Sequence, residues 1–146
     1  MKEDNQENIN ALDEIHKGAC MGQDAINFIM DKVEDKDLKK ELKKEYDDYQ
    51  DIAEYIEEIY PNYNEGEPHS TSAMNKAMTW SGVEMKTMND KSTSKIAELL
   101  LNGVNMGIIE GRKILNKKKI NREVSFIICK YVAMQEESVE ALKRFL

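Results

Sequence analysis

Five glycines recur at four-residue intervals in segments that otherwise follow the period of an α-helix. Gly103, Gly107 and Gly111 lie in the most apolar segment of the chain, and Gly18 and Gly22 share their spacing near the N-terminus. Each glycine inside a helix costs roughly 1 kcal/mol relative to alanine. The spacing places them on one helix face, where the lack of a β-carbon lets another backbone approach. We therefore predict a close helix crossing in which Gly103 and Gly107 face Gly18 and Gly22.

The chain reads as one all-α domain covering residues 1–146. Its apolar residues recur with a period of 3.6 over five segments, and no strand pattern occurs. The predicted helices span residues 5–33, 36–60, 71–89, 93–116 and 121–145. Ser92 and Thr93 are predicted to cap the fourth helix, and Asn121 the fifth. Both prolines fall in the one long loop, at residues 60–69.

The composition excludes several classes of partner. The formal net charge is -7 and no basic stripe stands out, so we expect no nucleic-acid partner. No segment offers the ~18 uninterrupted apolar residues of a membrane span. Cys20 and Cys129 lie far apart with no CxxC motif, which indicates unpaired thiols in a reducing cytoplasm. Lysine greatly outnumbers arginine, a bias that suggests an AT-rich bacterial genome.

Several side chains fall outside the predicted buried faces. On the first helix, Asp13 projects away from the core, while Met21 and Phe28 lie on the outer side, and Phe126 does so on the last helix. Apolar residues of the third helix add to these: Met74, Met78, Trp80, Met85 and Met88. They exceed what one bundle core needs, so we expect the third helix or a second subunit to cover them. A homodimer is the expected assembly.

A metal site is the first chemistry to consider in such a bundle. A dinuclear carboxylate site uses inward carboxylates from four helices and two Glu-x-x-His pairs. Neither His16 nor His69 follows a glutamate at that spacing, and His16 lies at the edge of the inward face. Glu45 points inward and Glu110 lies on the flank of its helix. These two carboxylates with His16 are the candidate ligands of a degenerate iron or manganese site.

The simpler interpretation is that both glutamates are partly buried groups with protein hydrogen-bond partners. The candidate partners are Tyr46, Tyr49, Tyr131 and Gln135. No nucleophile or phosphate-binding motif is present, and neither cysteine has an activating neighbour. The sequence therefore predicts no catalytic residue and no cofactor.

The helix order, long–long–short–long–long, is that of a ferritin-like bundle with a crossover helix. The chain resembles an uncharacterised bacterial ferritin-like domain family. The residues that carry this resemblance are Leu12, Gly18, Gly22, Pro68, Ser70, Trp80, Lys86, Leu99, Leu100 and Gly103. The resemblance implies a four-helix bundle with a short crossover helix, paired as a dimer. It also implies iron or redox chemistry, although the ligand motifs of active ferritins are missing.

Three functional hypotheses follow. The first is a non-enzymatic binding or structural bundle that acts through its surface, with a protein partner or as a dimer. The second is a metal-binding or redox protein that uses Glu45, Glu110 and His16. The third is a bundle that holds a small apolar ligand between helices along the glycine face.

Overall fold

The computed structural model describes residues 2–69 and 89–146, and these include four long α-helices. The helices are α1 (Lys2–Ile29), α2 (Lys36–Ile59), α3 (Thr93–Lys117) and α4 (Arg122–Lys143). Short 3-10 turns, Met30–Lys32 and Tyr60–Asn62, follow α1 and α2. The all-α prediction is confirmed. The segment predicted as the third helix, with its methionines and Trp80, lies outside the described residues except for Asn89.

Three helices begin at a side chain that accepts a backbone hydrogen bond. Asp35 accepts from the amide of Leu38 at 2.9 Å and begins α2. Ser92 does the same for α3, and Asn121 for α4. These caps satisfy amides that have no partner within the helix, so the predicted caps Ser92 and Asn121 are confirmed.

The helix directions follow from the contacts between them. Gln23 on α1 bonds to Gln50 on α2, and Asp13 bonds to Tyr60, so the two helices are antiparallel. In α3 and α4, the contacts of Gly107 with Gln135 and of Gly111 with Val132 also indicate an antiparallel pair. Tyr63, just after α2, bonds to Asn121 at the start of α4. Therefore α2 ends at one end of the bundle, and α3 begins at the other.

The core lies between the four helices and consists mainly of aliphatic side chains. Its fully buried members include Leu12, Ile15, Leu38, Leu42, Ile56, Ile96, Ile127, Ile128 and Leu142. The polar side chains on the solvent side of α3 are exposed and form a stripe at Glu98, Asn102, Asn105 and Arg112. No helix within the described ranges is both long and apolar enough to cross a lipid bilayer.

The side chains predicted on the outside fall into two groups. Phe28 is a correction, because it is partly buried and packs against the core. Met21 is also partly buried. Phe126 is 57% exposed, as predicted, and its ring lies 6.4 Å from that of Tyr55. Cys20 and Cys129 form no disulfide.

Candidate functional site

A cavity of about 190 Å³ opens between α1 and α3. Most of its wall comes from these two helices. In addition, α2 contributes Glu45 and Tyr49, and α4 contributes Tyr131 and Gln135. These four side chains are all buried. The cavity therefore brings together groups from both helical hairpins.

Four glycines line this cavity: Gly18, Gly22, Gly103 and Gly107. A β-carbon added to Gly18 would lie 2.8 Å from the Tyr131 hydroxyl oxygen, and one on Gly22 would lie 2.5 Å from ring carbons of Tyr49. At Gly107 it would meet the side-chain amide of Gln135. The prediction that these glycines admit a neighbouring helix backbone is therefore wrong for Gly18, Gly22 and Gly107. They make room for the side chains of two tyrosines and a glutamine.

Those three side chains form a buried hydrogen-bonded chain. The Tyr49 hydroxyl donates to Gln135 Oε1 at 2.7 Å, and Gln135 Nε2 donates to the Tyr131 hydroxyl at 3.0 Å. The tyrosine ring centroids lie 6.5 Å apart. Burial raises the pKa of Tyr131 to about 12, and the nearby Glu110 adds to this; burial also raises the pKa of Tyr49. Both phenols therefore stay protonated at neutral pH.

Glu45, also on the cavity wall, lies outside this series of hydrogen bonds and instead bonds to Glu41 and Ser138. Its side chain is 3% exposed, and Oε2 has no hydrogen-bond partner. Burial raises the pKa of Glu45 far above its ordinary value of 4.5, and the neighbouring Glu41 raises it further, whereas Ser138 opposes the shift. The carboxyl is therefore held neutral at pH 7. The predicted partners Tyr49, Tyr131 and Gln135 bond to one another instead, which corrects that interpretation.

The rim of the cavity carries charged and thioether groups. Glu110 is exposed rather than partly buried, and Glu14 is exposed on the facing helix. Lys17 supplies the positive charge, and Met21 and Met106 supply apolar surface. Because glycine backbone, aliphatic side chains and two phenols make most of the wall, the cavity suits a small, mainly apolar molecule with one polar group.

Asp13 and His16 lie in a second polar cluster, where the loop after α2 folds back onto α1. Asp13 is 8% exposed and accepts from the Tyr60 hydroxyl at 2.9 Å and from the backbone amide of His69 at 3.1 Å. Its predicted outward position is therefore wrong. The loop covers the face of α1 that the helical wheel left open.

His16 is engaged in the same cluster. Its Nδ1 lies 2.6 Å from the carbonyl oxygen of His69. Because a carbonyl only accepts, Nδ1 carries the proton and donates. Nε2 is buried without a hydrogen-bond partner and lies 3.5 Å from Glu57 Oε1. His16 thus anchors the loop, and it is not a wall residue of the cavity.

The three candidate metal ligands are divided between these two places. Glu45 and Glu110 line the cavity, whereas His16 contacts the loop. Across the part of the chain that the structure describes, no group of three or more His, Cys, Asp or Glu side chains could hold a metal ion. The residues present therefore do not fit a dinuclear site, and metal binding stays a hypothesis.

Sequence reasoning gave Gln135 only a supporting role. The structure makes it the link between two buried tyrosines, and a glutamine on the buried face of an apolar helix is a usable signal for such a network.

Comparisons with protein families, with curated proteins and with solved structures gave no match for this chain.

Proposed function

We propose that this protein is a non-enzymatic binding protein that holds a small ligand in the cavity between α1 and α3. One observation carries the proposal: a cavity of about 190 Å³ opens between α1 and α3 and is walled mainly by glycine backbone, aliphatic side chains and two phenols. A well-formed, mainly apolar cavity with a few converging polar groups is the usual form of a small-molecule site.

The size of the cavity limits the ligand. An engineered cavity of roughly 150 Å³ binds benzene, which has six non-hydrogen atoms, so about 190 Å³ suits a molecule of about eight non-hydrogen atoms. The walls support this, because Leu100, Val104 and Ile26 are buried and apolar. Tyr49, Tyr131 and Gln135 use most of their hydrogen-bonding capacity on one another. The rim groups Glu14, Lys17 and Glu110 then supply the polar contacts of the ligand.

We further propose that the bundle has the ferritin-like arrangement. The support is the opposite placement of the end of α2 and the start of α3, with α1–α2 and α3–α4 as antiparallel hairpins. Two hairpins joined by one long crossover have this arrangement. This proposal concerns only the arrangement of the helices, and it does not include the metal chemistry of ferritins.

Native mass spectrometry of freshly purified protein tests the binding proposal. We expect a stoichiometric, non-covalent adduct, or binding of neutral and charged aromatic fragments of about eight non-hydrogen atoms in ligand-observed NMR. Gly103→Leu places a large side chain at the wall and should abolish binding. Met106→Trp is a second variant for the case in which Gly103→Leu does not fold. It places a large side chain at an exposed residue of the cavity rim and should also weaken binding.

Asn102→Leu is the matched control, because Asn102 is exposed on the polar stripe of the same helix. Binding should be unchanged in that variant. Steady turnover of a redox or hydrolytic substrate by metal-free protein would contradict the non-enzymatic assignment. The absence of both an adduct and any fragment binding would contradict the proposal that the cavity holds a ligand.

The alternative is a metal or redox protein, and the observation in its favour is that Glu45 and Glu110 line the same cavity. Elemental analysis of protein purified without chelator separates the two functions. Stoichiometric iron or manganese that is lost in Glu110→Ala would support the metal site. Its absence after anaerobic iron loading would exclude it.

A further inference from the structure

We propose that His16 and Glu57 form a pH-sensitive latch, which holds the segment after α2 (residues 60–69) on α1 more firmly when His16 is protonated. The latch lies in a different place from the cavity and does not depend on the proposed function. It stands on three observations: the ring nitrogen that carries the proton of neutral His16, a second ring nitrogen that is buried without a partner, and the carboxylate beside it.

The proton of neutral His16 is fixed on one ring nitrogen. Nδ1 lies 2.6 Å from the backbone carbonyl oxygen of His69, and a carbonyl only accepts, so Nδ1 donates. The Sγ atom of Cys20 lies further from the same nitrogen, at 3.9 Å. In the neutral ring Nε2 then has no proton, and it can only accept a hydrogen bond.

This second nitrogen faces another acceptor. Nε2 is buried, has no hydrogen-bond partner and lies 3.5 Å from Glu57 Oε1. An ionised carboxylate also only accepts, so the two atoms repel each other while His16 is neutral. A buried acceptor that has lost water without gaining a donor costs free energy. The neutral ring is therefore the less favourable form of His16 in this position.

Protonation of His16 removes the conflict. The added proton makes Nε2 a donor toward a carboxylate, and hydrogen bonds between charged groups are the stronger ones. The Glu57 side chain is 52% exposed, so it can move the few tenths of an ångström that a hydrogen bond requires. Nδ1 still donates to His69, now from a charged ring. Because histidine changes its charge between about pH 5 and pH 8, this stabilisation is present at the acidic end and is lost as the pH rises.

The charges around His16 favour the protonated ring. Within the described ranges, the titratable groups of this cluster come from three elements: Asp13 and Cys20 on α1, Glu57 on α2, and Tyr60 and His69 after α2. Asp13 accepts from the Tyr60 hydroxyl and the His69 amide, and its Oδ2 lies 3.8 Å from Nδ1 of the largely exposed His69 ring. Lys17 lines the cavity instead. The cluster thus holds two carboxylates.

Hydrogen exchange at the His69 amide measures how firmly the segment is held, because this amide donates to Asp13 within the same cluster. We expect its protection factor, corrected for intrinsic exchange at each pH, to be at least ~3-fold higher at about pH 5.5 than at about pH 7.5. That factor is typical of one ion pair with a half-exposed carboxylate. Long-range nitrogen–proton NMR spectra should show the neutral His16 ring protonated on Nδ1.

Variants locate the effect. Glu57→Gln removes the charge and provides an amide that can donate to neutral Nε2, so the ratio between the two pH values should fall below ~1.5-fold. His16→Gln should do the same. Glu58→Gln is the matched control, since Glu58 is the next residue and is exposed, and it should keep the wild-type ratio. His69→Asn removes an exposed ring but keeps the backbone amide and carbonyl, and should keep the ratio as well.

Equal protection at both pH values in the wild type would overturn the latch, and so would a ratio that survives in Glu57→Gln. A ratio lost in His69→Asn but kept in His16→Gln would assign the pH dependence to the exposed ring and overturn it too. Glu57→Gln changes an exposed side chain, so it provides the test even if His16→Gln does not fold. Because Glu45 is unchanged in all of these proteins, its own effect on stability cancels in the comparison.

Discussion

The Tyr131 hydroxyl oxygen lies 2.8 Å from the point that a β-carbon on Gly18 would occupy. Real β-carbons do not approach oxygen so closely, so the tyrosine holds its position only because residue 18 has no side chain. The same hydroxyl accepts a hydrogen bond from Gln135 and helps to line the cavity. A single methyl group at Gly18 would therefore disturb both a buried network and a candidate binding site.

This contact predicts a reversal of sign in a double-mutant cycle. Gly18→Ala should lower the free energy of unfolding by about 1 kcal/mol, because overpacking outweighs the gain in helix propensity. In a Tyr131→Phe background the obstructing oxygen is gone, and Gly18→Ala should instead be neutral or stabilising by up to ~1 kcal/mol. Urea titrations of the four proteins measure the coupling. Additive effects of the two substitutions would contradict the contact.

Gly107→Ala should also lower the free energy of unfolding, because the added methyl group would crowd a side chain rather than the backbone of another helix. The added methyl group would displace the Gln135 amide, which is held by hydrogen bonds to Tyr49 and Tyr131. The expected loss is about 1–3 kcal/mol in a denaturant titration. Asn105→Ala, on the exposed stripe of the same helix, is the control and should be neutral or slightly stabilising. A Gly107→Ala protein that unfolds at higher denaturant than wild type would show that Gln135 moves freely.

The neutral carboxyl of Glu45 predicts a pH dependence of stability. Its pKa is raised above the ordinary value of 4.5 in the folded protein. The unfolded chain therefore releases this proton where the folded protein keeps it, and the free energy of unfolding falls as pH rises. The fall attributable to Glu45 is at most ~1.4 kcal/mol per pH unit. This fall in stability begins just above pH 4.5, the ordinary pKa of the carboxyl, and continues as the pH rises.

Glu45→Gln should remove this slope. We expect the variant to be more stable than wild type at about pH 8, with a smaller difference at about pH 5. Guanidinium titrations across this range provide the measurement. Glu58→Gln, an exposed glutamate of the same helix, should leave the wild-type profile unchanged. Parallel profiles for wild type and Glu45→Gln would mean that Glu45 is ionised in the folded protein.

The contact between Asp13 and the loop after α2 predicts a second stability effect. Asp13→Ala removes the acceptor of the Tyr60 hydroxyl and of the His69 amide, and should cost about 1–3 kcal/mol. Asp13→Asn keeps one acceptor oxygen and should cost less. Hydrogen exchange at the His69 amide should be faster in both variants. Asp31→Ala, at an exposed aspartate, serves as control, and equal stability of all these proteins would argue against the anchor.

The homodimer remains a prediction, and exposed apolar side chains still support it. Met106, Ile109 and Phe126 are each about half exposed. Light scattering at micromolar concentration should give twice the 16.9 kDa mass of the chain. Ile109→Glu or Phe126→Glu should shift the mass toward the monomer, whereas Asn105→Glu should not. A wild-type monomer at this concentration would refute the dimer.

Local sequence signals located the four described helices well, because helix formation depends on neighbours three and four residues away. The caps Ser92 and Asn121 show this, since each accepts from an amide three residues on. Asp13 was misplaced because a helical wheel describes only one helix, and cannot show that a loop some 50 residues later covers that face. The spacing of the glycines indicated that another group approaches the helix backbone closely. It could not show that this group is a tyrosine or glutamine side chain rather than a second backbone. Which groups meet at Glu45 depends on how four helices pack together.

The glycine walls also bear on how easily this cavity can be lost. Every glycine codon becomes an alanine codon through one base substitution, so Gly18, Gly22 and Gly107 each lie one mutation away from a methyl group that meets a tyrosine or Gln135. The helices themselves would tolerate alanine, which is the stronger helix former. Each of these single-base changes would therefore displace a buried ring or the Gln135 amide, so the shape of the cavity wall depends on three codons that can each alter it in one step.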